Sequence, residues 1–97
     1  METFDVSIST ERYYVYILLS FKDKGFYIGY TSDLKQRLTE HANARVTATR
    51  FRIPLKLIHY EYFIDRADAK AREKFLKSGF GRQQFSQILK RTLKKIL

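Results

Sequence analysis

Apolar residues follow two different periodicities along the chain, and the changes between them predict the order of strands and helices. Residues 12–20 (RYYVYILLS) are mostly apolar, aromatic or β-branched at successive positions, which is typical of a central strand covered on both faces. Residues 26–31 (FYIGYT) repeat this character after a polar turn, in which we expect Gly25 to take a positive φ angle. Gly29 interrupts the second strand and predicts either a bulge or a close approach to the backbone.

Helical spacing begins directly after the second strand. Leu34, Leu38 and Ala42 recur every four residues and predict a first helix with one buried stripe. Asp33 and Gln36 form a capping pair that marks the start of this helix.

A basic loop at residues 44–54 separates the first helix from a third strand at residues 55–63 (LKLIHYEYF). Because side chains alternate along a strand, we expect Ile58, Tyr60 and Tyr62 to share one face. The other face is expected to carry Leu57, His59, Glu61 and Phe63.

Two helices are predicted in the remainder of the chain. Asp65 is expected to cap a second helix that runs to about Ser78 and stops at Gly79. A third helix is expected to begin after Gly81. Its predicted apolar side consists of Phe85, Ile88 or Leu89, Leu93 and Ile96.

The order β-β-α-β-α-α predicts an α+β fold, in which a three-stranded antiparallel sheet is flanked by helices. The length of 97 residues is enough for one domain and too short for two. We therefore expect a single domain at residues 12–97, with a basic amphipathic helix at its end, and a flexible acidic tail at residues 1–11.

Composition and charge exclude several kinds of functional site and indicate a class of binding partner. The chain has no cysteine, which excludes disulfides, thiolate zinc sites and thiol nucleophiles. No apolar run is long enough to cross a bilayer, so we expect a cytoplasmic protein without a membrane partner. The net charge is +9, and residues 1–11 contribute −3 of it, which leaves +12 on residues 12–97. Such a basic domain points to a polyanion, usually nucleic acid, although lysine-rich solvated helix faces would give a similar charge.

Glu73 is the most informative single position. It lies between Ala69 and Leu76 on the predicted inward stripe of the second helix, where an isolated carboxylate is costly to bury. A divalent cation such as Mg²⁺ would offset this cost, because it takes oxygen ligands from carboxylates, phosphate and water. An ion pair with Lys70 or Lys77 along the helix is the alternative, and the helix alone leaves both open.

Four further side chains could complete a phosphate site with Glu73. Arg37 and His41 emerge at the border of the first helix's buried stripe, where the helix meets the sheet. Arg37 could grip two phosphate oxygens and His41 could transfer a proton, although a surface arginine and a structural histidine would fit the same pattern. Tyr16 and Tyr27 lie on neighbouring strands, where most tyrosines simply belong to the core.

Together these segments resemble the GIY-YIG nuclease superfamily, in particular its small stand-alone members typical of bacteria. The resemblance covers roughly residues 12–82, and its ordered set of motifs is specific. The first motif has Tyr14 in place of its first glycine, and Tyr30 stands where some repair-nuclease relatives have a lysine. The matching segments are Tyr14-Val15-Tyr16, Tyr27-Ile28-Gly29, the T-x-D-L-x-x-R-L-x-x-H pattern from Thr31 to His41, Arg52-x-Pro54-x-x-Leu57, and Ala69-x-x-x-Glu73 with Lys77.

This resemblance implies roles for the site residues. The residue matching Tyr16 helps to activate the attacking water, the one matching Arg37 supports the phosphate, and the one matching His41 assists proton transfer. The residue matching Glu73 holds one divalent metal, Mg²⁺ or Mn²⁺, and Tyr27 matches the second tyrosine of the site. With no room for a separate DNA-binding module, we expect the contacts to nucleic acid to come from Arg45, Arg50, Arg52, Lys77 and Arg82.

The leading hypothesis is a metal-dependent DNA endonuclease that acts on branched, damaged or single-stranded DNA in repair or recombination. The alternative is a basic nucleic-acid-binding module that retains the site with little or no turnover. A scaffold that docks an unidentified acidic partner protein through its last helix is a third hypothesis, which rests only on that helix.

Overall fold

The computed structural model of the chain describes residues 10–97. Within them the predicted fold is confirmed: a three-stranded antiparallel sheet of order β2-β1-β3 packs against helices. The predicted acidic tail lies almost entirely outside the described residues. No helix of the described part is long and apolar enough to cross a membrane. The elements are β1 (Tyr13–Ser20), β2 (Phe26–Thr31), α1 (Leu34–Ala42), β3 (Leu55–Phe63), α2 (Arg66–Leu76), α3 (Gly79–Ile88) and α4 (Lys90–Ile96).

β1 is the central strand, as its continuous apolar run predicts, and residues 15–20 are all buried. One face of the sheet packs on α2 and α3 through a cluster that includes Val15, Ile17 and Ala69. Alternation along β1 places Tyr14, Tyr16 and Leu18 on the opposite face. α1 covers part of this second face, where His41 contacts the ring of Tyr16.

The prediction for the faces of β3 is wrong at Leu57 and Ile58. The pairing of β1 with β3 shifts between Ile17 and Leu18, so that Ile17 opposes His59 while Leu18 opposes Leu57. One extra residue in a strand reverses the alternation beyond it. Ile58 therefore packs on the α2 and α3 side, and Leu57 lies beside Leu18 on the side of α1. Tyr60, opposite Tyr16, keeps the face that the sequence predicted.

The turn between β1 and β2 differs from the prediction in which residue has the positive φ angle. Lys24 has a φ of 62°, and no glycine among the described residues has a positive value. A Cβ on Gly25 would lie 2.8 Å from a guanidinium nitrogen of Arg52, at the end of a flexible side chain. Arg52 in turn binds the carboxylate of Asp23, with Nε 2.6 Å from Oδ2.

The boundary between the second and third helices also differs from the prediction. α2 ends at Leu76, and Ser78 is the N-cap of α3, which begins at Gly79. Gly81 lies inside α3. Its position requires a glycine, because a Cβ there would collide with the backbone of Phe75 and Leu76. The predicted last helix is divided at Leu89, which packs against the core while Ile88 is exposed.

Candidate active site

Three polar side chains form a buried chain of hydrogen bonds beneath α1. The hydroxyl of Tyr16 is 2.8 Å from Nε2 of His41, and Nδ1 of His41 is 2.7 Å from Oγ1 of Thr49. The three residues are at most 1% exposed. Both imidazole nitrogens thus have partners inside the protein, which fixes the orientation of the ring.

Gly29 makes room for the ring of Tyr16. The two residues oppose each other in the regular pairing of β1 with β2, and a Cβ on Gly29 would collide with the phenol. Of the two explanations that the sequence offered for Gly29, the close approach is confirmed, and this pairing contains no bulge.

Burial keeps both Tyr16 and His41 neutral near pH 7. It raises the pKa of Tyr16 to about 12; the neighbouring Tyr27 and Glu73 add to this increase, and Arg37 opposes it. Burial also lowers the pKa of His41 to about 4, and the positive charge of Arg37 acts in the same direction. The effects on Tyr16 show that the charges of Arg37 and Glu73 reach its side chain although they belong to different helices.

Arg37 and Tyr27 occupy the more accessible side of this cluster. Nη1 of Arg37 lies 3.0 Å from Oε1 of Glu40, and this ion pair raises the pKa of the guanidinium. The ring of Tyr27 is centred 5.1 Å from that of His41 and 6.3 Å from that of Tyr16. Both side chains are partly exposed, so substrate could reach them from solvent.

Glu73 lies on the inward stripe of α2, as predicted, and its side chain is 17% exposed. Oε2 of Glu73 is 3.0 Å from Nζ of Lys77, so the ion pair that the sequence left open is present. Lys70, the other potential partner, lies over the ring of Tyr30 instead, 4.5 Å from its centroid. It thereby brings an ammonium group next to Tyr30 on β2.

The carboxylate of Glu73 fits a divalent cation that takes few of its ligands from the protein. Among residues 10–97 no three His, Cys, Asp or Glu side chains are close enough to enclose a metal ion. A cation at Glu73 would therefore take its remaining ligands from water and a phosphate, which is the coordination that Mg²⁺ prefers.

The five residues predicted to bind nucleic acid fall into two groups. Arg45, Arg50 and Arg82 are exposed. Arg50 stacks on Phe51 and Arg82 on Phe26. Arg52 and Lys77 form the internal ion pairs with Asp23 and Glu73. Lys77 and Arg82 line a groove beside Tyr27.

Sequence reasoning missed Thr49. It lies eight residues after His41 in the basic loop, a distance that matches no motif, and only the path of the loop brings its hydroxyl to the imidazole. The burial of Thr49 and Val46 within a polar segment reflects how closely this loop packs against the site.

Comparison with known proteins gives one family. A family model described as the GIY-YIG catalytic domain matches residues 12–86. UPF0213 proteins of Streptococcus pyogenes serotype M5 (strain Manfredo) and serotype M3 (strain SSI-1) are each 38% identical over 78 residues, which cover 79% of this chain and 84% of the relative. The solution NMR structure of a UPF0213 protein from Bacillus halodurans is 32% identical with a TM-score of 0.51, and the match covers 79% of this chain and 84% of that one. The chain therefore belongs to the GIY-YIG family, and this membership suggests a nuclease with a nucleic acid as its substrate.

Proposed function

We propose that the chain is a metal-dependent DNA endonuclease whose site consists of Tyr16, Tyr27, Arg37, His41 and Glu73. The observation that carries the proposal is the convergence on the Tyr16 hydroxyl: it is bonded to His41, and the charges of Arg37 and Glu73 both act on it. A hairpin and two helices supply these groups, and a structural role alone does not require them at one place.

In this proposal Arg37 binds the phosphate. Its guanidinium is partly exposed and held by Glu40 at 3.0 Å, and a phosphate can replace this carboxylate with two parallel hydrogen bonds. The positive charge then offsets the negative charge that develops on the phosphoryl oxygens. Tyr16 is completely buried beside Arg37, so the proposal requires that the bound state opens its hydroxyl to the attacking water.

The proton of the attacking water passes through Tyr16 and His41. We assign Nδ1–H of His41 as the donor to Thr49, so that Nε2 accepts the hydroxyl proton of Tyr16. Tyr16 takes a proton from water as it gives its own to His41, and the hydroxide attacks the phosphorus. The P–O bond to the leaving nucleotide oxygen breaks, this oxygen takes a proton from solvent, and His41 returns its proton to solvent. The raised pKa of Tyr16 and the lowered pKa of His41 both oppose this transfer in the free protein. The negative charge of a bound phosphate would raise the pKa of His41 and so favour the transfer.

Glu73 would hold the cation, in exchange for its bond to Lys77. When bound, a divalent cation stabilises the charge on the phosphate and on the leaving oxygen. Lys77, once released, lies in the groove beside Tyr27 and is available to a neighbouring phosphate.

Cleavage of plasmid, single-stranded and branched DNA, with and without Mg²⁺ or Mn²⁺, tests this proposal. Glu73→Gln and Arg37→Ala should each abolish cleavage, with far-ultraviolet circular dichroism unchanged. Asp68→Asn is the matched control, because it removes an exposed carboxylate of the same helix and should cut at the rate of the wild type. Cleavage that survives both site substitutions would contradict the assignment.

The second candidate function is a nucleic-acid-binding module without turnover. The ion pair of Glu73 with Lys77 and the complete burial of Tyr16 favour it, because both describe a closed site. Such a module would bind DNA without cutting it under all metal conditions, and Glu73→Gln would leave its affinity unchanged.

A further inference from the structure

Three tyrosines outside the candidate site share the sheet face that α1 covers only in part. Tyr14 is centred 6.1 Å from Tyr60 and 5.9 Å from Tyr62, with the rings tilted against each other. Tyr60 is 52% exposed and Tyr62 41% exposed. The apolar cluster of the core lies on the other face, so packing does not account for these exposed rings.

A cleft between α1 and this face is lined by two of these tyrosines, Tyr14 and Tyr60. Its volume is about 540 Å³, and Leu34, Leu38, Tyr14 and Tyr60 supply apolar walls. Arg12 and Lys35 add two positive charges. The carboxylate of Asp33 also lines the cleft, but it accepts the backbone N–H of Gln36 as the cap of α1. Flat aromatic surface beside cationic side chains is the combination that binds unpaired bases and their phosphates.

The cleft adjoins the depression at Arg37, one residue of the candidate active site. Ser32 and Asp33 line it and also line the adjoining depression that contains Arg37. Tyr14 and Tyr16 are two residues apart on the same face of β1, which corresponds to about 7 Å along the strand. Because the cleft at Tyr14 and the depression at Arg37 share a border, one nucleic-acid strand can contact both through neighbouring nucleotides.

We propose that Tyr14, Tyr60 and Tyr62 form a stacking surface for unpaired bases of a DNA strand whose phosphate lies at Arg37. This inference rests on the proposed nuclease function and specifies its substrate: DNA with a single-stranded segment next to the cleavage position. In a duplex each base is covered above and below by its neighbours, so only an unpaired base offers a free face to these rings.

Binding without metal tests the stacking surface independently of cleavage. Fluorescence anisotropy of a labelled single-stranded oligonucleotide, and of the duplex with the same sequence, is measured for the full chain in EDTA. Tyr60→Thr and Tyr62→Thr change exposed side chains and keep the β-propensity of the strand. Each should weaken single-strand binding about tenfold and duplex binding less than twofold. Tyr60→Phe should bind as the wild type, because stacking does not need the hydroxyl.

Phe80→Ala is the matched control, since it removes an aromatic ring that is 80% exposed on α3, and it should not change either affinity. Equal losses on single-stranded and duplex DNA, or no loss in the threonine variants, would overturn the proposal. A dimer that dissociates in Tyr60→Thr would also overturn it, in favour of a second copy of the chain on this face. If the variants change single-strand binding as expected but the wild type does not cleave DNA with Mg²⁺ or Mn²⁺, the stacking surface is established and the proposed nuclease function is refuted.

Discussion

The fold changes the protonation of His41, and this makes stability depend on pH. Its pKa falls from 6.5 to about 4 in the folded chain, so the unfolded chain binds more protons between these values. Stability from the neutral ring is therefore complete above pH 6.5 and decreases as the pH falls towards 4. We expect the urea midpoint of the wild type to decrease between pH 7 and pH 5.

His41→Phe should show a smaller decrease over the same range, because phenylalanine does not titrate. Asp23 does not interfere in this window, since Arg52 lowers its pKa to about 2 and its contribution is lost only at more acidic pH. If the urea midpoints of both proteins decrease equally between pH 7 and pH 5, another group is responsible.

Thr49 is a positioning residue for His41, and its hydroxyl can be tested separately from its size. Thr49→Val keeps the shape and leaves Nδ1 of the imidazole without its partner at 2.7 Å. We expect the rate of DNA cleavage in a single turnover to fall at least about tenfold, and the ¹⁵N shifts of His41 to indicate a change of tautomer.

Thr49→Ser retains the hydroxyl and should restore both the rate and the ¹⁵N shifts. A valine variant with the rate and tautomer of the wild type would exclude this role for Thr49.

At the scale of elements, the crossing of α2 and α3 depends on one glycine. A Cβ at Gly81 meets the backbone of Phe75 and Leu76, whereas Gly79, two residues earlier in α3, has open space around it. Backbone cannot move aside like the end of a flexible side chain, so Gly81→Ala should lower the free energy of unfolding by about 3 kcal/mol. Gly79→Ala should change it by about 0.5 kcal/mol or less.

Chemical denaturation of the two variants gives this comparison directly, and similar midpoints would mean that α3 adjusts its position without cost. The same crossing explains why the helix boundary was predicted wrongly. A glycine usually ends a helix, and here Gly79 and Gly81 lie inside one because Ser78 caps it and α2 passes so closely.

The spacing of apolar residues predicted the order of the strands and helices correctly. It failed for the faces of β3, where one extra residue interrupts the alternation. The apolar run of β1 and the spacing of α1 needed no tertiary information. Leu57 and Ile58 were assigned to the wrong faces because alternation in sequence does not reveal an extra residue in a strand. Tyr16 and Glu73 could be proposed from motif spacing, but the bond of Thr49 to His41 depends on the fold of the loop.

At the scale of the whole molecule, the positive charge predicts salt-dependent binding to DNA. Each arginine that contacts a phosphate should contribute about 0.9 to the slope of log affinity against log salt concentration on duplex DNA. Arg45→Ala, Arg50→Ala and Arg82→Ala should each reduce the slope by about this amount, because these three side chains are exposed.

Arg52→Ala should leave the slope unchanged and lower the thermal midpoint instead, since its guanidinium already binds Asp23 and the carbonyl of Phe26. Anisotropy titrations at several salt concentrations measure the slope. A reduced slope for Arg52→Ala would show that it leaves Asp23 to contact the DNA.

The ring of Tyr16 occupies the space that a side chain at Gly29 would need, so the two positions constrain each other. The two motifs that contain them are therefore not independent characters in evolution. A lineage that exchanges the tyrosine for a smaller residue loses the constraint on the glycine at the same moment, and a larger residue at position 29 can be inherited only after that exchange. Inactive descendants of this domain should consequently change both positions together, in that historical order.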